Sequence, residues 1–339
     1  MKQNFEYVLG LDRKFKKKLS ASQADIGPDE IRVAPKLIGV CGSDLYHYSL
    51  SGNVELYLGH EWIGEVKEVG SQITHVTKGD FVTSSATFGC GQCTYCLKGA
   101  VNHCTKPTHL GTNEIGAIRH ELVMKGFNAL KLSSSDPSEV LIEVMAVAEE
   151  AVRLMKENSI EKAENVFVMG AGTVGILIAY LLKEENIPVT ITDPVAERVE
   201  RAKKLGLNAL PLKVALLLHG SKEHFDVLFD ATCDRDGNKG GWDYLPVFAK
   251  KGYLAVMVGK YTRKVEIVPD LLSRLATRMV FMRGVPLTTL NETITKWSGR
   301  LAPLAQTIVS HTFSCENLDN AFATAINLQA SGKVVIAME

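Results

Sequence analysis

The stretch Val166-Phe-Val-Met-Gly170-Ala-Gly172-Thr-Val-Gly175 decides the fold. Four apolar residues read as a buried strand, and the Gly-x-Gly-x-x-Gly that follows reads as a turn into a helix. Gly170 makes the tight turn, Gly172 lets the backbone approach a pyrophosphate, and Gly175 lets helix and strand pack closely. Thr173 and Val174, between them, are placed at the same cofactor. The segment Val166 to Leu182 carries no charge but falls short of the roughly 20 apolar residues that a membrane-spanning helix needs. Its glycines favour a strand turning into a helix.

A second strand, Val189 to Thr192, leads to Asp193, 21 residues after Gly172. A carboxylate there can accept bonds from an adenosine ribose and would repel a 2′-phosphate, which favours NAD over NADP. Arg198 either covers the adenine ribose or binds a 2′-phosphate, and residue types alone leave both open. In a purely structural role, Asp193 would cap the next helix ahead of Pro194.

Outward from this unit the chain alternates. A helical stretch runs up to Met155, a helix covers Thr173 to about Glu184, and a charged helix covers Val195 to Leu205. Further strands are expected at Val227 to Phe229, Tyr253 to Val258 and Met279 to Phe281, as in a parallel sheet with helices on both faces. The first 140 or so residues instead read as short β segments such as Ile31 to Val33, Gly64 to Val69 and Phe81 to Ser84. The alternation breaks near residue 285, and a last helix, Leu318 to Gln329, and strand, Val334 to Ala337, return to the first domain. The expected fold is therefore α/β, a doubly wound parallel-sheet domain over 146–285 inserted in a β-rich domain made of 1–145 and 286–339. At 339 residues the chain suits two cores better than one.

Charge excludes some partners. The 38 basic residues balance 38 acidic ones, giving no electrostatic reason for a nucleic acid or an anionic membrane. The run Arg13 to Lys18 reads as a solvated edge or hairpin. No secretory signal opens the chain, so a cytoplasmic location is expected, where seven cysteines would stay reduced.

Four of those cysteines, Cys90, Cys93, Cys96 and Cys104, fall within 15 positions. Cysteines three apart on short loops wrap four thiolates around one ion, the closed tetrahedron of a structural zinc, in a lobe over about 88–106. Gly89, Gly91 and Gly99 supply backbone freedom there.

With this lobe and the glycine turn, Cys41-Gly-Ser-Asp44, Gly59-His60-Glu61 and Gly332-Lys333-Val334-Val335 complete a set spread over almost the whole chain. In order and spacing the set resembles the zinc-containing medium-chain alcohol dehydrogenases, especially the sorbitol and threonine dehydrogenase branch. The resemblance implies a GroES-like catalytic domain, a Rossmann cofactor domain and two Zn²⁺ per chain. It also implies NAD, a small alcohol or polyol as substrate, and a homodimer or homotetramer. Cys41, His60 and a carboxylate would hold a catalytic zinc with a fourth position open to water or substrate. Either Glu61 or Glu143 completes that set, one at a time, because both together would leave the ion net negative. Asp44 is placed to hold the His60 ring. Ser43 is the family's first proton acceptor, relaying to a histidine three residues on. Here Tyr46 stands at that position and His47 follows it.

Other positions depart from the branch: Val144 follows Glu143 where proline is usual, and Cys233 replaces a usual glycine. The alternative substrates are a sugar phosphate or L-threonine, which would need a charge partner such as His47, Arg119 or Arg283. A non-catalytic zinc- and nucleotide-binding protein is the reading outside enzymes.

Overall fold

The computed structural model describes residues 4–20, 25–50, 54–112, 114–219, 225–233, 240–261, 264–327 and 332–338. It divides into two compact units, 1–146 with 284–339, and 147–283.

In the first unit a seven-stranded sheet runs in the order Val309–Ser314, Lys333–Ala337, Glu30–Gly39, Glu61–Val69, Phe81–Thr83, Leu130–Lys131, with Leu122–Lys125 also paired to Glu30–Gly39. The first half of Glu61–Val69 is buried on both faces and its second half alternates, as expected of a strand that passes from the core to an edge. Trp62, Ile31, Ile38, Val66, Val82, Phe322 and Ile336 share one core. The helix Leu318–Ile326 joins that core through Leu318, Ala321, Phe322 and Ala325, the i, i+3, i+4, i+7 stripe of an amphipathic helix. The sequence reading carried this helix to Gln329, which lies outside the described residues. The basic run sits in a hairpin of Phe5–Leu9 and Phe15–Leu19, where Lys16, Lys17 and Lys18 pair with Asp12, Glu316 and Glu55.

Pairing of the last strand matters most for the site. Val335 lies opposite Gly39 and Ile336 opposite Ile38, while Gly39 on its other side faces Glu61. Residues 39, 61 and 333 are thereby brought to one end of three adjacent strands.

The second unit is a six-stranded parallel sheet in the order Asn208–Pro211, Val189–Asp193, Val166–Met169, Phe225–Asp230, Ala249–Met257, Arg278–Phe281. In chain order this is 3-2-1-4-5-6, the doubly wound Rossmann topology. Val166–Met169 is buried throughout, as a central parallel strand must be. Phe167 packs between Phe225 and Phe248, with ring centroids 4.6 and 4.3 Å away. The strand expected from Tyr253 to Val258 lies within Ala249–Met257 plus one residue and is internal, with neighbours on both sides, so it is not an edge open to pairing with another copy. Among the described residues the edge on this side is Arg278–Phe281, whose Phe281 is 65% exposed. No helix among the described residues is long and apolar enough to cross a membrane.

Candidate active site

Cys41 precedes the helix Gly42–Leu50, and His60 precedes the strand that begins at Glu61. One ligand atom from each of Cys41, His60 and Glu61 lies within 4.8 Å of the others. Asp44 is buried beneath them and accepts from the backbone amides of Cys41, at 2.9 Å, and Gly59, at 3.2 Å. Its Oδ1 lies 3.3 Å from His60 Nδ1. That contact turns Nε2 toward the cavity, where the Ser43 hydroxyl is 3.3 Å away. Burial works against protonation of His60, yet Asp44 and Cys41 outweigh it and hold the imidazole well above its usual pKa. Burial pushes Asp44 up, and the charge of His60 and the hydrogen bonds more than reverse this.

Glu143 stands at the start of the helix Ile142–Asn158 and is buried. Burial and the charge of Glu61 push its carboxyl up to about 7. Glu61 is held differently. Lys333, 5% exposed, donates to both of its oxygens, at 2.9 and 2.6 Å, and to the Val40 carbonyl at 3.2 Å. Burial alone would lower the ammonium pKa, but the charges of Glu61, Cys41 and Asp44 raise it above normal.

A cavity of about 120 Å³ opens beside this cluster, lined by Ser43, His47, His60, Ala86, Thr87, His109, Leu110, Gly111 and Thr112. Ser43 and His47 are four residues apart in one helix, so they share a face. Of the two relay candidates His47 lines the cavity, and Tyr46 is not among its lining residues.

The four cysteines of the lobe also converge, each offering a sulfur within 4.8 Å of the others. Amide groups point at the sulfurs: Cys90 N and Lys106 N lie 3.3 and 3.4 Å from Cys104 Sγ. Backbone donors from Thr105 and Cys96 bring the Cys93 thiol down to about 5, while burial pushes Cys96 up to about 12. A closed set of four sulfurs with amide donors suits a tetrahedral thiolate-bound cation such as Zn²⁺, and the Cys41, His60, Glu61 set suits Zn²⁺ with an open position. Gly89 is required by proximity, because a Cβ there would stand 2.6 Å from Cys96 Sγ.

In the second unit, Gly170 has φ +98° and a Cβ on Gly175 would lie 1.8 Å from the Gly170 carbonyl oxygen. Gly172, N-cap of the helix Thr173–Glu184, has open space where a Cβ would stand. Asp193 is buried, with Oδ2 accepting from Ala171 N and Oδ1 from Val195 N, both at 2.8 Å. Arg198 approaches it to 3.6 Å. Asp193 therefore braces the glycine turn as well as the entry to the next helix.

Residues 27–134 match the alcohol dehydrogenase GroES-like domain. A sorbitol dehydrogenase of Halalkalibacterium halodurans is 33% identical over 54% of each chain. An L-threonine 3-dehydrogenase of Serratia proteamaculans is 26% identical over 94% of each. Along most of its length the chain is thus similar to the alcohol and polyol dehydrogenases that carry a GroES-like domain. A crystal structure of an Escherichia coli oxidoreductase/dehydrogenase of unknown specificity shares its fold along the whole of both chains, at TM-score 0.84 and 22% identity.

Two residues of this site escape sequence reasoning. Lys333 was visible as part of the Gly332 to Val335 motif, but nothing local tied it to Glu61. Gly111, at φ +82°, packs so that a Cβ would lie 2.8 Å from His60 Nδ1 and 3.4 Å from Asp44 Oδ1. A glycine 51 positions beyond His60 carries no such signal in sequence.

Proposed function

We propose that this chain is a zinc-dependent, NAD-linked dehydrogenase of a secondary alcohol or polyol. The convergence of Cys41, His60 and Glu61 beside a cavity that also holds Ser43 and His47 carries the reading. Bound zinc would supply a Lewis acid that lowers the pKa of the substrate hydroxyl, and NAD the hydride acceptor. Ser43 takes the hydroxyl proton and His47, on the same helix face, receives it next. Asp44 holds His60 by Nδ1 and so commits Nε2 to the metal. Glu61 is the third ligand, with Glu143 facing it. Lys333 alters the charge count: with Zn²⁺ its +1 balances Cys41, Glu61 and Asp44, so Glu143 completes the set best as a neutral acid, in line with a carboxyl pushed up to about 7. A second zinc in the lobe of Cys90, Cys93, Cys96 and Cys104 is structural.

Gly170, Gly172, Thr173, Val174 and Gly175 would hold the dinucleotide, and Asp193 would favour NAD because its charge opposes a 2′-phosphate, with Arg198 beside it available to the adenine ribose. A charged substrate is less well supported. Among the described residues the cavity lining holds no lysine or arginine, and Arg119 is engaged by Glu6 at 2.8 Å and by the Gly116 carbonyl at 2.8 Å. The edge Arg278–Phe281, which has no outer neighbour among the described residues, and its exposed Phe281 support pairing of two copies, which light scattering on a sizing column would read as twice the chain mass. Reduced thiols in the lobe suit the cytoplasm.

The deciding experiment measures NAD⁺ and NADP⁺ reduction at mildly alkaline pH on zinc-replete protein, with simple alcohols, polyols, sugar phosphates and L-threonine. Turnover is expected with NAD⁺ and a neutral alcohol or polyol, lost on chelation and restored by zinc. Zinc and dinucleotide binding without turnover of any alcohol would favour a non-catalytic role. Asp44→Asn is expected to weaken zinc binding about 10- to 100-fold, read by competition with a chromophoric chelator; unchanged affinity would remove Asp44 from the site.

A further inference from the structure

A polar cluster in the second unit is used by none of this chemistry. Asp230, the last residue of its strand, is fully buried. Its Oδ1 accepts from Thr232 N at 3.0 Å and lies 2.6 Å from Thr232 Oγ1, and its Oδ2 lies 2.7 Å from the Tyr261 hydroxyl. Thr232 Oγ1 and the Tyr261 hydroxyl are themselves 2.6 Å apart. Gly241 N donates to Thr232 Oγ1 at 2.6 Å, and Trp242 N to the Tyr261 oxygen at 3.2 Å.

Counting protons decides the charge state. The carboxyl group, the tyrosine and the threonine are joined by three short oxygen contacts, and each contact needs one hydrogen. The two hydroxyls bring one each. We propose that Asp230 supplies the third as a neutral carboxylic acid, and that the resulting closed ring with Thr232 and Tyr261 is a positioning clip for the nicotinamide dinucleotide. In the protonated form every donor finds one acceptor: Asp230 Oδ2–H to Tyr261, Tyr261 O–H to Thr232, Thr232 O–H back to Asp230 Oδ1. With an ionised carboxylate, two oxygens would meet at 2.6 Å with no hydrogen between them. Burial, which raises the Asp230 pKa against the hydrogen bonds that lower it, acts in the same direction.

Location links the ring to the cofactor, and here the inference rests on the proposed dinucleotide site. In a 3-2-1-4-5-6 sheet the ligand crevice opens beyond the carboxyl ends of the first and fourth strands. Asp230 ends the fourth, opposite Met169 of the first. A Cβ on Gly170 would stand 2.8 Å from the Ala231 carbonyl oxygen and 3.0 Å from Thr232 Cγ2, so the clip packs against the glycine turn. Through Tyr261 and Gly241 it ties the segments after the fourth and fifth strands to the start of the next helical turn. A neutral acid does this without adding negative charge where an anionic pyrophosphate would bind.

The test compares wild type with Asp230→Asn and Tyr261→Phe. Asparagine reproduces the protonated acid, accepting at one atom and donating at the other. NADH binding, followed by its fluorescence, is expected to stay within about twofold for Asp230→Asn and to weaken about tenfold for Tyr261→Phe, the loss of one ordered hydrogen-bond link. A protonated-carboxyl C=O band in the infrared difference spectrum, wild type minus Asp230→Asn at neutral pH, reports the ring without any cofactor. Absence of that band, or loss of folding or NADH affinity in Asp230→Asn alone, overturns the neutral acid. Unchanged NADH affinity in Tyr261→Phe overturns the positioning role. A wild type that shows the band and binds neither NADH nor NADPH overturns the dinucleotide reading and the positioning role with it, and leaves the ring standing.

Discussion

Cys41→Ser is expected to lower kcat/KM for alcohol oxidation by about a thousandfold, because loss of the metal's Lewis acidity removes several kcal/mol of transition-state stabilisation at about 1.36 kcal/mol per tenfold. The thiolate is the softest donor of its set and one of its negative charges, whereas a serine hydroxyl is neutral at pH 7 and a poor zinc ligand. The fold has little reason to respond, since the backbone amide that Asp44 accepts from remains in place. Metal analysis should accordingly fall from two zinc ions per chain to one, the lobe retaining its own, with unfolding of the metal-free protein nearly unchanged and only the stabilisation by that bound ion lost. Wild-type activity in a variant that has lost one zinc would refute metal-dependent chemistry at this site. Loss of both ions would show that the two sets are not independent.

Lys333→Met carries the second large effect, on stability. Removing one partner of a buried ion pair leaves the other charge uncompensated, a cost of about 3–5 kcal/mol. Here the orphan is Glu61, 1% exposed, with both oxygens pointed at Lys333 Nζ. Methionine matches the length of the lysine stem, so little of the loss comes from a cavity. Denaturant unfolding of metal-free protein should show the full drop, and Lys333→Met with Glu61→Gln should regain most of it, since a neutral amide is cheaper to bury. Zinc should restore part of the single variant's stability, because the ion takes over the compensating charge. An unfolding midpoint equal to the wild type's would mean that Glu61 is not held as an ion by Lys333.

What could be read in advance depended on how far apart the interacting residues lie. The glycine turn and the four-cysteine lobe are complete within 10 and 15 consecutive residues. Their chemistry is imposed by local geometry, by the space a Cβ would need and by the reach of short loops around one ion. The helix and strand alternation after residue 145 was legible for a similar reason, since burial on one side of a helix leaves a 3.6-residue period. Neighbours within the sheet were not. Tyr253 to Val258 was legible as a strand but its place inside the sheet was not, because an apolar run records burial and not which strand lies beside it.

The cluster around Cys41 and His60 divides along the same line. Sequence by itself determined that a thiol, an imidazole and carboxylates of the right types were present, and that a glycine-rich turn and a four-cysteine lobe accompanied them. Tertiary structure decided their arrangement. Helix Gly42–Leu50 set His47, and not Tyr46, in the cavity lining with Ser43. Pairing of the last strand with Glu30–Gly39 delivered Lys333 to Glu61 across 272 residues. The approach of Gly111 to His60, and the proton-sharing ring of Asp230, Thr232 and Tyr261, likewise exist only once distant segments are packed. The physical reason is that a donor's charge state and partner depend on what excludes water around it. Burial and long-range register supply that, and no local pattern of residues encodes either.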